Sequence, residues 1–235
     1  TGSKSSLLLL SFLTGKTTDC ELNFAMGVLD NILIGSAASP LRKALLESQL
    51  GDDILDYGYM NETLQTTWSV GLRDADAASK EAFKKLFFDT LQKIVDEGIS
   101  KKLIEASLNT CEFQLREANF GSYPKSLVYS MNIMSRWLYD ATPMDNLKYE
   151  DLLTGLKEKI AKGGYFEQLI RQCFLENKHY ALVTCSPQLD LSAQLLEVEN
   201  KRLAEHLKSL DEKQINELKE ANDILNKRQQ TPDSP

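Results

Sequence analysis

The chain has 235 residues, of which 42% are hydrophobic and 26% charged, enough apolar side chain for a sizeable core and ordinary usage for a globular protein. A formal charge of -7 and a pI near 5.0 exclude a protein built to grip a phosphate backbone, because that affinity rests on clustered Lys and Arg and no basic patch occurs. No apolar run approaches the roughly 18 residues of a membrane span, so neither nucleic acid nor membrane is expected as a partner.

Leu7 to Leu13 is a short, nearly continuous apolar run closed by Thr14-Gly15, which predicts a central strand. A helix pair follows from Thr18 to Gly51. Thr18 and Glu21 have the spacing of a capping box, and Leu22, Ala25, Met26, Leu29, Ile32 and Leu33 recur on one helical face. Gly35-Ser36-Ala37-Ala38 is the hinge, Gly35 the expected stop, Ser39 the expected cap of the second helix and Pro40 its first residue, with Gly51 at its end.

Residues 54–60 and 64–73 then predict a hairpin. In the second strand Leu64, Thr66, Trp68, Val70 and Leu72 alternate with Gln65, Thr67, Ser69, Gly71 and Arg73, as in a half-buried strand. From Ala77 the period turns helical, through Phe83, Phe87, Leu91 and Ile94 to the stop at Gly98. Ser100 caps a helix faced by Ile104, Leu108, Cys111 and Leu115, which bends at Asn119-Phe120-Gly121-Ser122, and Pro124 opens the next. Leu127, Met131, Met134 and Leu138, with Trp137 beside them, have the spacing of core packing; a Met-rich, aromatic stripe is also the composition of an adaptable binding surface. Two amphipathic pieces, 149–161 and 165–176, are split by Gly163-Gly164, and 178–185 alternates as a last strand.

Beyond Ser186-Pro187 the chain has no aromatic residue and is helical in period. A helical hairpin is expected, with Leu195, Val198, Leu203, Leu207 and Leu210 on one arm, Ser209 and Glu212 as a capping box, and Ile215, Leu218, Ala221 and Leu225 on the other. An arm from Leu191 to Lys208 spans roughly 27 Å. Thr231 to Pro235 carries two prolines and reads as linker.

Chemistry is sparse. Cys20, Cys111, Cys173 and Cys185 form no CxxC pair, which excludes a zinc knuckle or redox dithiol and fits the cytoplasm or another reducing compartment such as an organelle matrix. His179 and His206 stand alone, with no H-x-x-E-H or H-E-x-x-H around either. Gly35 to Ser39 lacks the glycine spacing and lysine of a phosphate loop, and no G-x-S-x-G occurs. Asp52-Asp53 and Glu197-Val198-Glu199 read as a turn and a solvated face.

The order of these pieces carries a resemblance. The helix pair with Ser39-Pro40-Leu41 and Leu50-Gly51, the joint Glu97-Gly98-Ile99, the segment Glu112-Phe113-Gln114-Leu115-Arg116-Glu117, Trp137-Leu138-Tyr139, Tyr165 to Ile170 and Asn177-Lys178-His179 before a strand are similar to the second domain of presequence proteases. Those are pitrilysin and insulinase-like zinc metallopeptidases, and the hairpin resembles the helical linker between their two halves. The resemblance implies four related α+β domains closing around a chamber where short unfolded peptides are cut, with the zinc motif in the first domain.

The expected fold is α+β, a mainly antiparallel sheet with helices packed on one face plus the C-terminal helical hairpin. Residues 1–187 are expected to be a non-catalytic domain, 188–230 the hairpin linker and 231–235 its tail. No catalytic or metal-binding residue is assigned to this segment, binding residues are left unassigned, and zinc is expected in the catalytic domain of the parent chain. The expected partners are that catalytic domain, the C-terminal half of the same chain and the parent's peptide substrate. The alternative is an independent interaction module acting through the hairpin.

Overall fold

A computed structural model describes residues 4–232 and divides the chain into two compact units that meet at Pro187. The reading of residues 233–235 as part of a linker tail falls outside the described residues. In the first unit the chain runs β1 (Lys4–Lys16), α1 (Cys20–Ile34), α2 (Pro40–Glu47), β2 (Asp53–Met60), β3 (Gln65–Asp76), α3 (Lys80–Glu97), α4 (Lys101–Glu117), α5 (Lys125–Trp137), α6 (Glu150–Ala161), α7 (Tyr165–Ile170) and β4 (Tyr180–Cys185). The four strands form one antiparallel sheet in the order β2-β3-β1-β4. The fold is α+β, with helices on one face of this sheet.

Strand β1 is central because it is apolar on both faces and can lose both edges to partners. It pairs with β3 on one side, Leu10 opposite Val70 and Phe12 opposite Trp68, and with β4 on the other, from Leu7 opposite Cys185 to Phe12 opposite Tyr180. Leu8, Leu10, Phe12, Trp68, Val70 and Leu72 are fully or almost fully buried, and the helices cover them with Met26, Leu29, Phe83, Phe87, Leu91 and Phe174. Phe12 stacks on Phe87 at 5.4 Å and meets Phe174 edge-on at 5.2 Å, while Trp68 meets Phe174 at 5.0 Å. Each such pair adds about 1 kcal/mol beyond its burial. The opposite face of the sheet keeps Leu7, Leu9 and Leu13 half-buried and leaves Val183 exposed.

Several helix ends fall one or two residues from where spacing put them. Asp19, not Thr18, caps α1 by accepting the Leu22 N–H at 3.0 Å, since a carboxylate suits the positive end of a helix better than a hydroxyl. Gly35 has ordinary right-handed backbone, so it is not a left-handed stop. Ser39 occupies the cap position of α2 without capping it: its hydroxyl accepts the Ser36 N–H and bonds the Asn31 carbonyl, tying the hinge back to α1. Helix α2 ends at Glu47, and Gln49, at φ 55°, reverses the chain before Gly51 is reached. Ser100 does cap α4, accepting the Leu103 N–H, and the bend beyond Glu117 is made by Ala118 and Gly121 in left-handed conformation. Helix α7 loosens into a π-turn, Arg171–Leu175, which points both Cys173 and Phe174 into the core.

The largest departure concerns α5. Its stripe of Leu127, Met131, Met134 and Leu138 is exposed, as is Trp137, and no residue of α5 is buried. Val128, Ile133, Ser135 and Arg136, off the stripe, are half-buried; Arg136 bonds Cys20 on α1, and the helix packs on the 3-10 turn Pro143–Asn146. The spacing expected of core packing here belongs to a surface.

The second unit holds α8 (Leu191–Ser209) and α9 (Glu212–Gln230). The two helices stand where the period put them, joined at Leu210-Asp211. Asp211, rather than Ser209, makes the capping box: it accepts the Gln214 N–H at 2.8 Å while Gln214 accepts the Asp211 N–H at 2.9 Å. The helices do not lie along one another, and among the described residues of this unit only Leu210 and Ile215, flanking the turn, are half-buried. The expected seam of leucines is open, because 19-residue helices rich in Glu, Lys and Gln have no aromatic or second layer to close over it.

Candidate functional site

Zinc takes three or four closely placed His, Cys, Asp or Glu donors. Among the described residues no group of three or more such side chains is gathered. His179 is exposed at the entry to β4, where its N–H donates to Asn177 Oδ1 at 2.7 Å and its carbonyl accepts from Leu13. His206 is exposed on α8 in the other unit. The donor set present does not fit the metal, and no step through a metal can be built on these residues. Ser36 and Ser39 are spent on each other and on α1, with no base in reach. Asp53 accepts the N–H of its neighbour Ile54, and Glu199 pairs with Arg202 on the surface.

The most perturbed group was not singled out by motif. Asp30 lies on α1 four residues after Met26, at the margin of the buried face. Its Oδ1 accepts the indole N–H of Trp68 at 2.7 Å, and the Tyr59 backbone also donates to it. Gly58, at φ 62°, lets β2 pass close to this carboxylate, where an added Cβ would sit 2.9 Å from its oxygens and collide. Burial pushes Asp30 up to about 6, with Asp56 adding repulsion against the hydrogen bonds. Alongside it, Tyr59 donates to Asn23 Oδ1, while Asn23 Nδ2 donates to the Thr17 carbonyl at 2.7 Å. Burial raises the Tyr59 hydroxyl to about 12. This polar cluster fastens α1 to β2 and β3. Every member is satisfied, so it offers structure rather than a reacting atom. The signal in the sequence was a carboxylate four residues from a core methionine.

Two surfaces remain. A cavity of about 390 Å³ opens between α4 and the α6–α7 joint, lined by Ile99, Ile104, Leu108, Ile160 and Phe166 with Lys101 and Lys162 at its margin. The α5 stripe is the other, and its C-terminal end is tied to the body where Arg136 Nη1 donates to Cys20 Sγ at 3.3 Å.

Comparison with known proteins gives this geometry a context. Residues 1–111 match the family described as the peptidase M16 inactive domain. Protein HypA of Clostridium perfringens is 39% identical over 224 residues, which make up 95% of this chain and 23% of that protein. Presequence protease 1, chloroplastic/mitochondrial, of Arabidopsis thaliana is 37% identical over 236 residues, 99% of this chain and 22% of that protein. The chain thus spans less than a quarter of the length of these relatives. The crystal structure of an inactive peptidase domain from Bordetella parapertussis shares the fold, with a TM-score of 0.62 at 10% identity over 80% of this chain and 94% of that one. The chain is thus similar to the peptidase M16 inactive domain over its first 111 residues, and resembles the presequence proteases along nearly its whole length.

Proposed function

We propose that residues 1–187 are a non-catalytic scaffold domain of a zinc metalloendopeptidase that degrades short unfolded peptides, and that residues 188–230 are the helical linker to the rest of that parent chain. The observation that carries this reading is the match to an inactive peptidase domain in a chain among whose described residues no histidines and acids are gathered for zinc. The helix-free sheet face, with Leu7, Leu9, Leu13 and Val183 turned outward, suits the wall of a peptide chamber. Zinc and the catalytic residues belong to another domain of the parent, and an organelle matrix or the cytoplasm suits its free thiols. The test is metal analysis of the purified chain together with a fluorogenic peptide assay. Absence of stoichiometric zinc and of cleavage is expected; zinc at one equivalent with chelator-sensitive cleavage overturns the proposal.

A second reading is favoured by the open leucine seam of α8 and α9, which would make this unit an independent interaction module. Deleting residues 188–235 separates the two. Loss of a defined oligomer in sedimentation supports the module, and an unchanged monomer supports the linker.

A further inference from the structure

We propose that the exposed stripe of α5 pairs with the same stripe on a second copy of this chain, the two helices lying antiparallel about a two-fold axis. The inference goes beyond the proposed function and does not depend on it. It concerns a different face from the leucine seam of α8 and α9.

Leu127, Met131, Met134 and Leu138 have exposures of 46%, 62%, 47% and 68%, and Trp137 beside them 57%. At about 100° per residue the four fall within about 60° of arc, so they form one line along the helix. The order of the line identifies its partner. It runs Leu, three residues, Met, two residues, Met, three residues, Leu, which is the same in either direction. A two-fold axis at the midpoint between Met131 and Met134 therefore sets Leu127 against the partner's Leu138 and Met131 against the partner's Met134. Each contact is made twice, as an isologous interface requires. A face shaped for an unrelated partner has no need of this symmetry.

Charge permits the pairing and selects its direction. Ser126, Ser130 and Ser135 flank the line and no charged residue lies on it, so two copies meet without like-charge repulsion. The two cations of α5 are engaged elsewhere, Arg136 donating to the Cys20 sulfur and Lys125 to the Glu117 carbonyl. Antiparallel pairing brings the positive N-terminal end of each helix, where Lys125 lies, alongside the negative C-terminal end of the other, beyond which Asp140 is exposed. Parallel pairing would set like ends together. One face of a 13-residue helix buries less than the roughly 800 Å² per partner of a standard interface, so the dimer is weak and depends on concentration.

The experiment is sedimentation equilibrium of the whole 235-residue chain over a concentration series. The average mass should rise from one chain towards two. Because Trp68 is fully buried and Trp137 exposed, the emission maximum should shift to the blue over the same range. Met131→Ser/Met134→Ser should weaken dimerisation at least tenfold, Met131→Leu/Met134→Leu should keep it, and Leu203→Ser/Leu207→Ser, on the seam of α8, should leave it unchanged. All these positions are exposed, so the variants keep the fold, which circular dichroism verifies. Direction is read by a short bismaleimide in a Cys185→Ser background: a mixture of Leu127→Cys and Leu138→Cys chains should be cross-linked, and either chain alone should not. A monomer at every concentration, dimerisation lost with the α8 variant but not with the methionine variant, or cross-linking of Leu127→Cys alone as readily as of the mixture, each overturns the inference. Zinc content and cleavage, measured separately, report on the proposed function and leave this result unaffected.

Discussion

The indole N–H of Trp68 donates to the carboxylate of Asp30 at 2.7 Å, joining the largest fully buried side chain of β3 to the acid held highest above its usual range. Folding keeps this carboxyl protonated up to about pH 6, whereas the unfolded chain releases the proton near 3.8. Between those values the native state holds the extra proton. Stability is therefore greatest below about 3.8 as far as this group is concerned, and declines as pH rises towards 6 by something on the order of 3 kcal/mol. Asp30→Asn keeps an acceptor for the indole and removes the titration. Urea unfolding at pH 4.5 and 7.5 should show the variant gaining on the parent at the higher pH. Identical pH dependence in both would refute the assignment.

Gly71 faces β1 so closely that an added Cβ would sit 2.2 Å from the Leu8 carbonyl oxygen, an atom fixed in the sheet. Gly71→Ala should cost about 2–3 kcal/mol by forcing the two strands apart. Gly27 on α1 meets nothing within 4 Å, and Gly27→Ala should instead stabilise by about 0.5–1 kcal/mol. Thermal unfolding of the two variants side by side checks both signs.

The four thiols should separate by rate. Cys185 is exposed, while burial raises Cys111 and Cys173 to about 11 and so suppresses the reactive thiolate. Mass spectrometry during alkylation at pH 7.5 should find Cys185 modified first. Labelling of Cys173 in step with Cys185 would contradict its placement in the core.

Asp211→Ala removes one half of the capping box that starts α9, at a cost of about 1 kcal/mol to that helix. With little tertiary packing to hold it, the loss should appear as faster amide exchange in residues 212–216, while the sheet keeps its protection. Uniform exchange across both units would argue that α9 is stabilised from elsewhere.

Periodicity made the sheet and most helices legible because each has a face that must be buried. Leu8, Leu10 and Phe12 alternate, and Phe83, Phe87 and Leu91 recur at four, as burial against one core requires. The same rule misplaced the α5 stripe, since spacing records only that side chains share a face. It is silent on whether this chain or another covers that face. Cap positions slipped for a smaller reason: Thr18 and Asp19, or Ser209 and Asp211, compete within a residue or two, and local geometry chooses. Asp30 escaped notice because a carboxylate on a helix margin is ordinary until β2 and β3 close over it.

The hydroxyls of Ser6 and Ser186 stand 2.8 Å apart, at the outer ends of strands β1 and β4. The chain therefore enters and leaves its first unit at one doorway. A unit with this layout behaves as an inserted bead: its two ends could be spliced by a few residues to give a circular permutant, or the whole bead excised from a longer protein with the flanking segments left side by side.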